Sequence, residues 1–186
     1  MQAASDLHSV LLPGWTFAEA VRAELLDALR SMTPARWTSR PDAKAWCTGE
    51  VVEHLLHSEI GTSKMVRKLI RGDYRSLEIP RDARLCSVDL DRYPFDRLDA
   101  PANLVPGPVR ERVEVEQTLQ VAHQRLRSEL SRFQGDHPEV LRSPDPATGV
   151  WFTLGGWIKL QAWHEAHHIR QIQRLAAHPS FPSSGA

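Results

Sequence analysis

Cysteine is scarce in this chain, and long apolar runs and any excess of one charge are absent. The 186 residues include two cysteines, Cys47 and Cys86, too few for a disulfide framework. No apolar run approaches the roughly 20 residues of a membrane helix, and residues 1–10 lack the basic start and apolar stretch of a signal peptide. Lys plus Arg and Asp plus Glu each total 23, a balance that attracts neither nucleic acid nor anionic membranes. These absences predict a cytoplasmic protein that binds neither nucleic acid nor membranes.

Helical periodicity occupies most of the chain. The length fits one domain, which we place at residues 1–178, followed by a disordered tail at residues 179–186. Apolar residues recur at helical spacing in four segments, at about residues 16–31, 48–71, 109–133 and 153–177. Thr16 and Glu19 form a T-x-x-E capping box at the start of the first segment, and Thr48 is a favourable N-cap for the second. The pattern predicts an all-α fold, a four-helix bundle with no substantial sheet.

The connection between the second and third segments, residues 72–108, is unusually long. It contains five prolines and has no sustained helical or strand periodicity. Loops of this size are uncommon in compact domains unless they have a function or cross over the fold. A long crossover allows the two helices that it joins to lie parallel. We therefore predict a crossover here, rather than a simple up-down-up-down bundle.

Three of the nine histidines lie on helix faces that should point into the bundle. At 100° per residue, His164 and His168 share the largely apolar face of the fourth segment, and His54 lies on the inward face of the second. A shared cation would offset the cost of burying three polar rings, so the pattern favours a metal site. The alternative is that these are ordinary packed histidines with hydrogen-bond partners. His57 and His167 lie off those faces, and we expect them to flank the site or to be exposed.

The fourth segment also matches a protease motif. His164, Glu165 and His168 fit H-E-x-x-H, the helix of zinc proteases. The rest of that machinery is missing, because no acidic residue follows Glu165, and Gln171 and Arg174 stand where the extended motif requires Gly and His. A protease is therefore disfavoured, and Glu165 stays a weak candidate for a catalytic general base. Gln171 is a second weak candidate, either contacting a ligand or substrate or supporting the site from behind.

Two stretches resemble a known family when they are taken together. W-C-T-G-E-V-V-E-H-L-L-H-S-E at residues 46–59 is similar to the start of the second helix of the DinB-like (YfiT-like) metal-binding four-helix bundles. W-H-E-A-H-H-I-R-Q-I at residues 163–172 resembles the last helix of the same superfamily. The proline-rich D-R-L-D-A-P-A-N-L-V-P-G at residues 96–107 resembles the approach to the third helix in one branch of it.

The resemblance implies a fold and a metal site. The fold is an up-down-down-up four-helix bundle with the long crossover between the second and third helices, often assembled as a homodimer. The ligands are His54, His164 and His168, and the ion is zinc or nickel. Family members of known activity include enzymes that use a small cytosolic thiol, such as mycothiol-dependent isomerases and bacillithiol transferases.

Three neutral imidazoles would leave a divalent ion with its full charge and at least one open position, which is typical of a catalytic site. Ser58 and Gly61 follow His54 on its helix face and are small, so we expect a pocket for a small-molecule substrate beside the ion. We therefore predict a metal-dependent enzyme that activates a small thiol for S-transfer. The alternatives are a metal-dependent hydrolase that uses a bound water, or a non-enzymatic bundle with a structural metal. In the last case Cys47 is the thiol close enough in sequence to His54 to complete the coordination.

Overall fold

The computed structural model describes residues 7–87, 89–95 and 98–182. This part of the chain contains four long helices, one short helix and a small three-stranded sheet. The helices are α1 (Leu12–Arg30), α2 (Pro34–Thr38), α3 (Thr48–Arg71), α4 (Arg112–Leu130) and α5 (Leu154–Ala176). The strands are β1 (Leu85–Cys86), β2 (Arg142–Pro144) and β3 (Trp151–Thr153). None of the helices in these ranges is long and apolar enough to cross a membrane.

The contacts between helices fix their relative directions. Gly14 near the start of α1 lies against Ile158 near the start of α5. Arg22, further along α1, is bonded to Glu165, which is further along α5, so these two helices are parallel. In the same way Glu59 of α3 contacts His123 of α4, and Arg67, further along α3, contacts Glu129, which is further along α4. These two helices are therefore also parallel.

The second pair of helices runs against the first. Ser58 lies opposite His164, whereas Thr62, further along α3, lies opposite Gln161, which is earlier in α5. This register makes α3 and α5 antiparallel. The bundle is therefore up-down-down-up, and the predicted all-α fold, topology and crossover are confirmed.

The core consists of two clusters of buried side chains. One lies around the sheet and includes Leu126, Leu130, Phe152 and Ile158. The other fills the opposite part of the bundle. The apolar residues that recur at helical spacing in α4 are buried in these clusters and consist of Val115, Leu119, Ala122, Leu126 and Leu130. Helical apolar periodicity therefore identified the buried face of this helix correctly.

The predicted helix starts were partly wrong. α1 begins at Leu12, one turn before the predicted T-x-x-E box, because Leu11 and Trp15 are both buried and extend the apolar stripe past Thr16. Pro13 fits the first turn of a helix and does not stop it. In α3 the N-cap is Cys47 rather than Thr48, and the Cys47 amide donates to the Glu50 carboxylate at 2.9 Å.

The crossover contributes one strand and one helical turn. α3 ends at Arg71, and the next residue, Gly72, terminates the helix with a φ of 86° in the left-handed region. Further on, β1 pairs in parallel with β3, which also pairs antiparallel with β2. A 3-10 turn at Ala102–Leu104 then packs on α3. The small sheet was not predicted, since strands of two or three residues are too short to show alternation.

The chain directly after α5 contacts α2. The Arg36 guanidinium donates to the Pro182 carbonyl oxygen at 2.8 Å and lies 5.1 Å from the centre of the Phe181 ring. The first half of the predicted disordered tail therefore packs against α2. Residues 183–186 of that tail lie outside the described residues.

Candidate metal centre

Three imidazole rings meet between α3 and α5. His54 comes from the second turn of α3, and His164 and His168 come from successive turns of α5. The Nε2 atom of His164 lies 3.1 Å from Nε2 of His54 and 3.1 Å from Nε2 of His168. The three side chains are buried, with exposed fractions of 4%, 9% and 9%. Among the described His, Cys, Asp and Glu residues they are the one group whose ligand atoms lie close enough to share an ion.

Hydrogen bonds to Nδ1 determine the tautomer of two of these rings. The carbonyl oxygen of Leu104 lies 2.8 Å from His54 Nδ1, and the amide oxygen of Gln171 lies 2.7 Å from His168 Nδ1. Both oxygens can only accept, so both Nδ1 atoms carry the proton. In a neutral imidazole the Nε2 atom is then a bare lone pair.

The third ring is held by a chain of hydrogen bonds. Ser58 Oγ donates to the Gln161 amide oxygen at 3.0 Å, and Thr62 Oγ1 donates to the same oxygen at 3.1 Å. The Ser58 hydroxyl has one proton and uses it there, so at 3.2 Å it accepts from His164 Nδ1. His164 therefore also presents a bare Nε2 atom to the centre of the cluster.

The geometry fits a divalent cation better than a proton. The His164 lone pair lies 3.1 Å from the Nε2 atoms of both His54 and His168, and lone pairs this close repel unless a positive charge lies between them. Burial lowers the pKa of His168 to about 3, and burial followed by the neighbouring His168 and His54 lowers the pKa of His164 well below its usual value. Ligands at 2.0–2.1 Å from an ion and 90–110° apart would be separated by roughly 2.8–3.4 Å, which brackets the observed spacing.

The crossover, rather than the helices alone, completes the surroundings of the cluster. Its 3-10 turn supplies the Leu104 carbonyl group to His54. The Tyr93 ring stacks on His164 at a centroid distance of 5.6 Å and lies 5.1 Å from His167. Burial raises the pKa of Tyr93 to about 12, so its phenol stays protonated near neutral pH. The crossover is held down by Trp163, whose indole donates to the Leu90 carbonyl oxygen at 3.0 Å.

A cavity of about 1040 Å³ opens beside the cluster. All three imidazoles line it, together with Gln171 and the half-buried His167, which flanks the ligands as predicted from its helix face. Pockets that bind small molecules usually measure about 300–1,000 Å³. The cluster therefore lies in the wall of a cavity large enough for a substrate.

Glu165, the weak candidate for a general base, does not line this cavity. Its two carboxylate oxygens accept from Nε and Nη2 of Arg22, each at 2.7 Å, and the residue is 3% exposed. Arg22 also donates to Glu59, which in turn contacts His123. The glutamate of the H-E-x-x-H match therefore belongs to a buried ion network between helices, and the structure gives it no access to a bound substrate.

Cys47 does not complete the site either. It is fully buried and free, and it is not part of the group of residues close enough to share an ion. Burial raises the pKa of its thiol, which favours the unreactive protonated form.

Sequence reasoning missed the groups that orient the imidazoles. Ser58 was expected only to leave space as a small residue, and neither Ser58 nor Gln161 was predicted as a hydrogen-bonding partner. Their spacing held a usable signal, because Gln161 lies three residues before His164 and thus on the same side of α5. Nothing in the sequence could have identified the Leu104 carbonyl group as a partner of His54, because every residue supplies a backbone carbonyl oxygen.

Comparison with known proteins gives a consistent result. A profile of the DinB superfamily matches residues 18–172, which is most of the chain. The uncharacterised protein YuaE of Bacillus subtilis strain 168 is 25% identical over 161 residues, which cover 86% of this chain and 94% of YuaE.

Two solved structures share the fold. TT2238, a four-helix bundle protein, superposes with a TM-score of 0.59 at 24% identity, over 87% of this chain and 97% of TT2238. YfiT from Bacillus subtilis, described as a probable metal-dependent hydrolase with an unusual four-helix bundle topology, superposes with a TM-score of 0.59 at 19% identity, over 91% of this chain and 87% of YfiT.

Proposed function

The chain belongs to the DinB superfamily, and from this premise we propose that it binds one divalent metal ion through His54, His164 and His168 and hydrolyses a small-molecule substrate there. The observation that carries the proposal is the convergence of three bare Nε2 atoms in the wall of a large cavity. Buried polar atoms normally have partners, and in the described residues these three lone pairs have only one another.

Each ligand would be neutral, and none of the described Asp and Glu residues joins the group to lower the charge of the ion. An ion bound by three imidazoles keeps an open position and lowers the pKa of a water or thiol that occupies it. Leu104, Gln171 and Ser58 would hold the imidazoles in the required tautomer. Such outer partners are a regular feature of histidine metal sites.

Hydrolysis is our first choice because YfiT, which shares the fold, is described as a probable metal-dependent hydrolase. A structural metal is less favoured, because a structural site needs a fourth protein ligand and no further described His, Cys, Asp or Glu residue lies close enough.

Thiol S-transfer is the second candidate, and one observation favours it. The exposed Arg174 lines the cavity one helical turn beyond Gln171. A guanidinium there would pair with the carboxylate that many small cytosolic thiols carry. The cavity, at the upper end of the usual range, also has room for a thiol and a second reactant.

The test begins with metal content. Protein purified without nickel resin should contain about one equivalent of zinc or nickel by elemental analysis. Replacing His168 with Ala should abolish the bound metal and leave the helical circular dichroism unchanged. His57→Ala is the matched control, because His57 is a half-buried histidine on α3 that does not line the cavity. Full metal content in the His168 variant would refute the ligand assignment.

The reaction is then tested on the loaded protein. Chromogenic esters, anilides and phosphoesters should be screened without thiol, and an electrophilic substrate should be screened with mycothiol, bacillithiol, glutathione and cysteine. Hydrolysis that is lost in His168→Ala but retained in His57→Ala supports the first choice. Turnover only with a thiol supports the second. Turnover that survives metal removal would overturn both.

Three further properties belong to the same proposal. The native ion is zinc or nickel, the protein is a homodimer, and it works in the cytoplasm, where its two buried, free cysteines would stay reduced. Light scattering coupled to size-exclusion chromatography would test the second property. A mass of 21.0 kDa, that of one chain, would contradict it.

A further inference from the structure

The cavity beside the imidazole cluster changes character from one end to the other. Because α3 and α5 are antiparallel, residues that follow His54 face residues that precede His164. In that direction Ser58 and Thr62 line the cavity with their hydroxyl groups bonded to the Gln161 amide oxygen, and the apolar part of the lining consists of Gly61, Met65, Trp157 and Leu160. In the other direction the lining includes the polar side chains of Asn103, Gln171 and Arg174.

Contacts with neighbouring side chains hold Trp157 in place at the apolar end of the cavity. The Trp157 indole donates to Ser143 Oγ at 3.0 Å and packs against Phe152 at a centroid distance of 5.2 Å, so this wall is fixed. Met65 is only partly buried. An unbranched thioether side chain in such a position adapts readily to the shape of a ligand.

Gly61 creates the space in this part of the cavity. It lies in the interior of α3, where glycine is the least favourable residue apart from proline. A Cβ atom built on Gly61 would have no neighbour within 4 Å, so packing does not require a glycine there. An added side chain would instead project into the open cavity that Gly61 lines.

From this arrangement we propose that the substrate carries an apolar chain on one side of its reacting bond, that this chain lies along the groove between α3 and α5, and that Gly61 determines the size of chain accepted. The inference rests on the proposed function, because it places the reacting bond at His54, His164 and His168. Met65 follows His54 by eleven residues, which correspond to about 16 Å along the helix. That length suits an extended acyl chain, so the substrate class is an ester or amide of an apolar acyl group.

Binding of linear carboxylates to the zinc-loaded protein tests the proposal without turnover. The carboxylate of acetate, hexanoate or decanoate would bind at the zinc ion, and the alkyl chain would enter the groove. Isothermal titration calorimetry should show affinity rising with chain length, by roughly threefold for each methylene group buried. The same ranking, with weaker affinities, is expected for metal-free protein, because the apolar contacts do not need the ion.

The decisive variant is Gly61→Leu. It should weaken decanoate binding at least tenfold while leaving acetate binding and zinc content unchanged. Gly107→Leu is the matched control, because Gly107 is also exposed and has no neighbour within 4 Å of an added Cβ atom, but it does not line the cavity. Met65→Gln provides a second test at a partly exposed position, and it should weaken decanoate but not acetate.

The outcomes separate this inference from the proposed function. Affinity that does not depend on chain length, or Gly61→Leu protein that binds decanoate like the original, overturns the inference whatever the activity. A protein that prefers decanoate but holds no zinc keeps the inference about the groove and refutes the proposed metal site. An equal loss in the Gly107 variant would also count against the groove.

Discussion

Arg22 of α1 and Glu165 of α5 form a bidentate ion pair inside the bundle, with two nitrogen–oxygen distances of 2.7 Å and exposed fractions of 5% and 3%. Glu165 directly follows His164 in sequence, yet its side chain is bound to the neighbouring helix rather than directed to the imidazole cluster. The pair links α1 to the helix that carries two of the proposed ligands. We infer that Glu165 has a structural role.

The first prediction concerns that pair. Glu165→Gln should lower the free energy of unfolding by about 3 kcal/mol, because it leaves the buried Arg22 charge with Glu59 as its remaining carboxylate partner. Urea unfolding followed by circular dichroism measures the change. The folded fraction should still bind one zinc ion.

Asp27→Ala is the control for this change. Asp27 pairs with Arg30 on the surface of α1, with side-chain exposures of 73% and 79%, and exposed pairs contribute little to stability. Its variant should unfold like the original protein. A Glu165→Gln protein of unchanged stability that had lost catalysis would instead restore the general-base role.

The second prediction concerns the cysteines. Burial raises the pKa of both Cys47 and Cys86, so the reactive thiolate is a smaller fraction of each at pH 8 than in a free thiol. Neither should react rapidly with Ellman's reagent in the folded protein, whereas both should react in urea. One fast thiol in the folded state, assigned with Cys47→Ala and Cys86→Ala proteins, would contradict this.

The third prediction concerns the junction of the sheet with α5. A Cβ atom on Gly156 would lie 2.4 Å from the Cys86 carbonyl oxygen, so β1 would have to move. Gly156→Ala should therefore destabilise the protein by about 1–3 kcal/mol. Gly61→Ala, where the added Cβ atom meets nothing within 4 Å, should stabilise it by about 0.5–1 kcal/mol. Thermal unfolding of the two variants should shift in opposite directions.

The four long helices could be predicted from the sequence because repeated apolar positions over several turns leave few alternatives. The up-down-down-up topology was implied by the family resemblance, and the length of the connection predicted the crossover. The start of α1 could not, since Thr16 and Glu19 satisfy a capping pattern inside the helix and the burial of Leu11 depends on distant partners. The three strands could not be predicted for a related reason. They pair through a backbone ladder of two or three residues and have no pattern of their own.

The candidate site could likewise be predicted from the sequence only in part. His54, His164 and His168 could be brought together from helix faces and the family resemblance, and their role as ligands stays a prediction. The outer partners depend on register between helices, which periodicity does not reveal. Arg22 was overlooked because a charged residue in a helix is usually solvated, and only the fold shows that Glu59 and Glu165 surround it.

The last prediction concerns Ser58, the residue that determines the tautomer of His164. Ser58→Ala removes the acceptor for His164 Nδ1, so the ring is free to carry its proton on Nε2 instead. Zinc binding would then require the His164 ring to move its proton from Nε2 back to Nδ1. The affinity for zinc should therefore fall by roughly 10–100-fold, as it does when other hydrogen-bonding partners of metal ligands are removed. Competition with a zinc-binding dye measures the affinity.

Ser63→Ala is the control for Ser58→Ala. Ser63 is a buried serine on the same helix that does not line the cavity, and its hydroxyl has no hydrogen-bond partner among the described residues. Its loss should leave zinc affinity unchanged. Nitrogen-15 NMR of metal-free protein adds a direct readout, because the His164 Nε2 signal should move from the bare to the protonated range in the Ser58 variant alone. Equal zinc affinity in the Ser58 variant and the original protein would show that the hydrogen-bond chain through Gln161 does not orient the ligand.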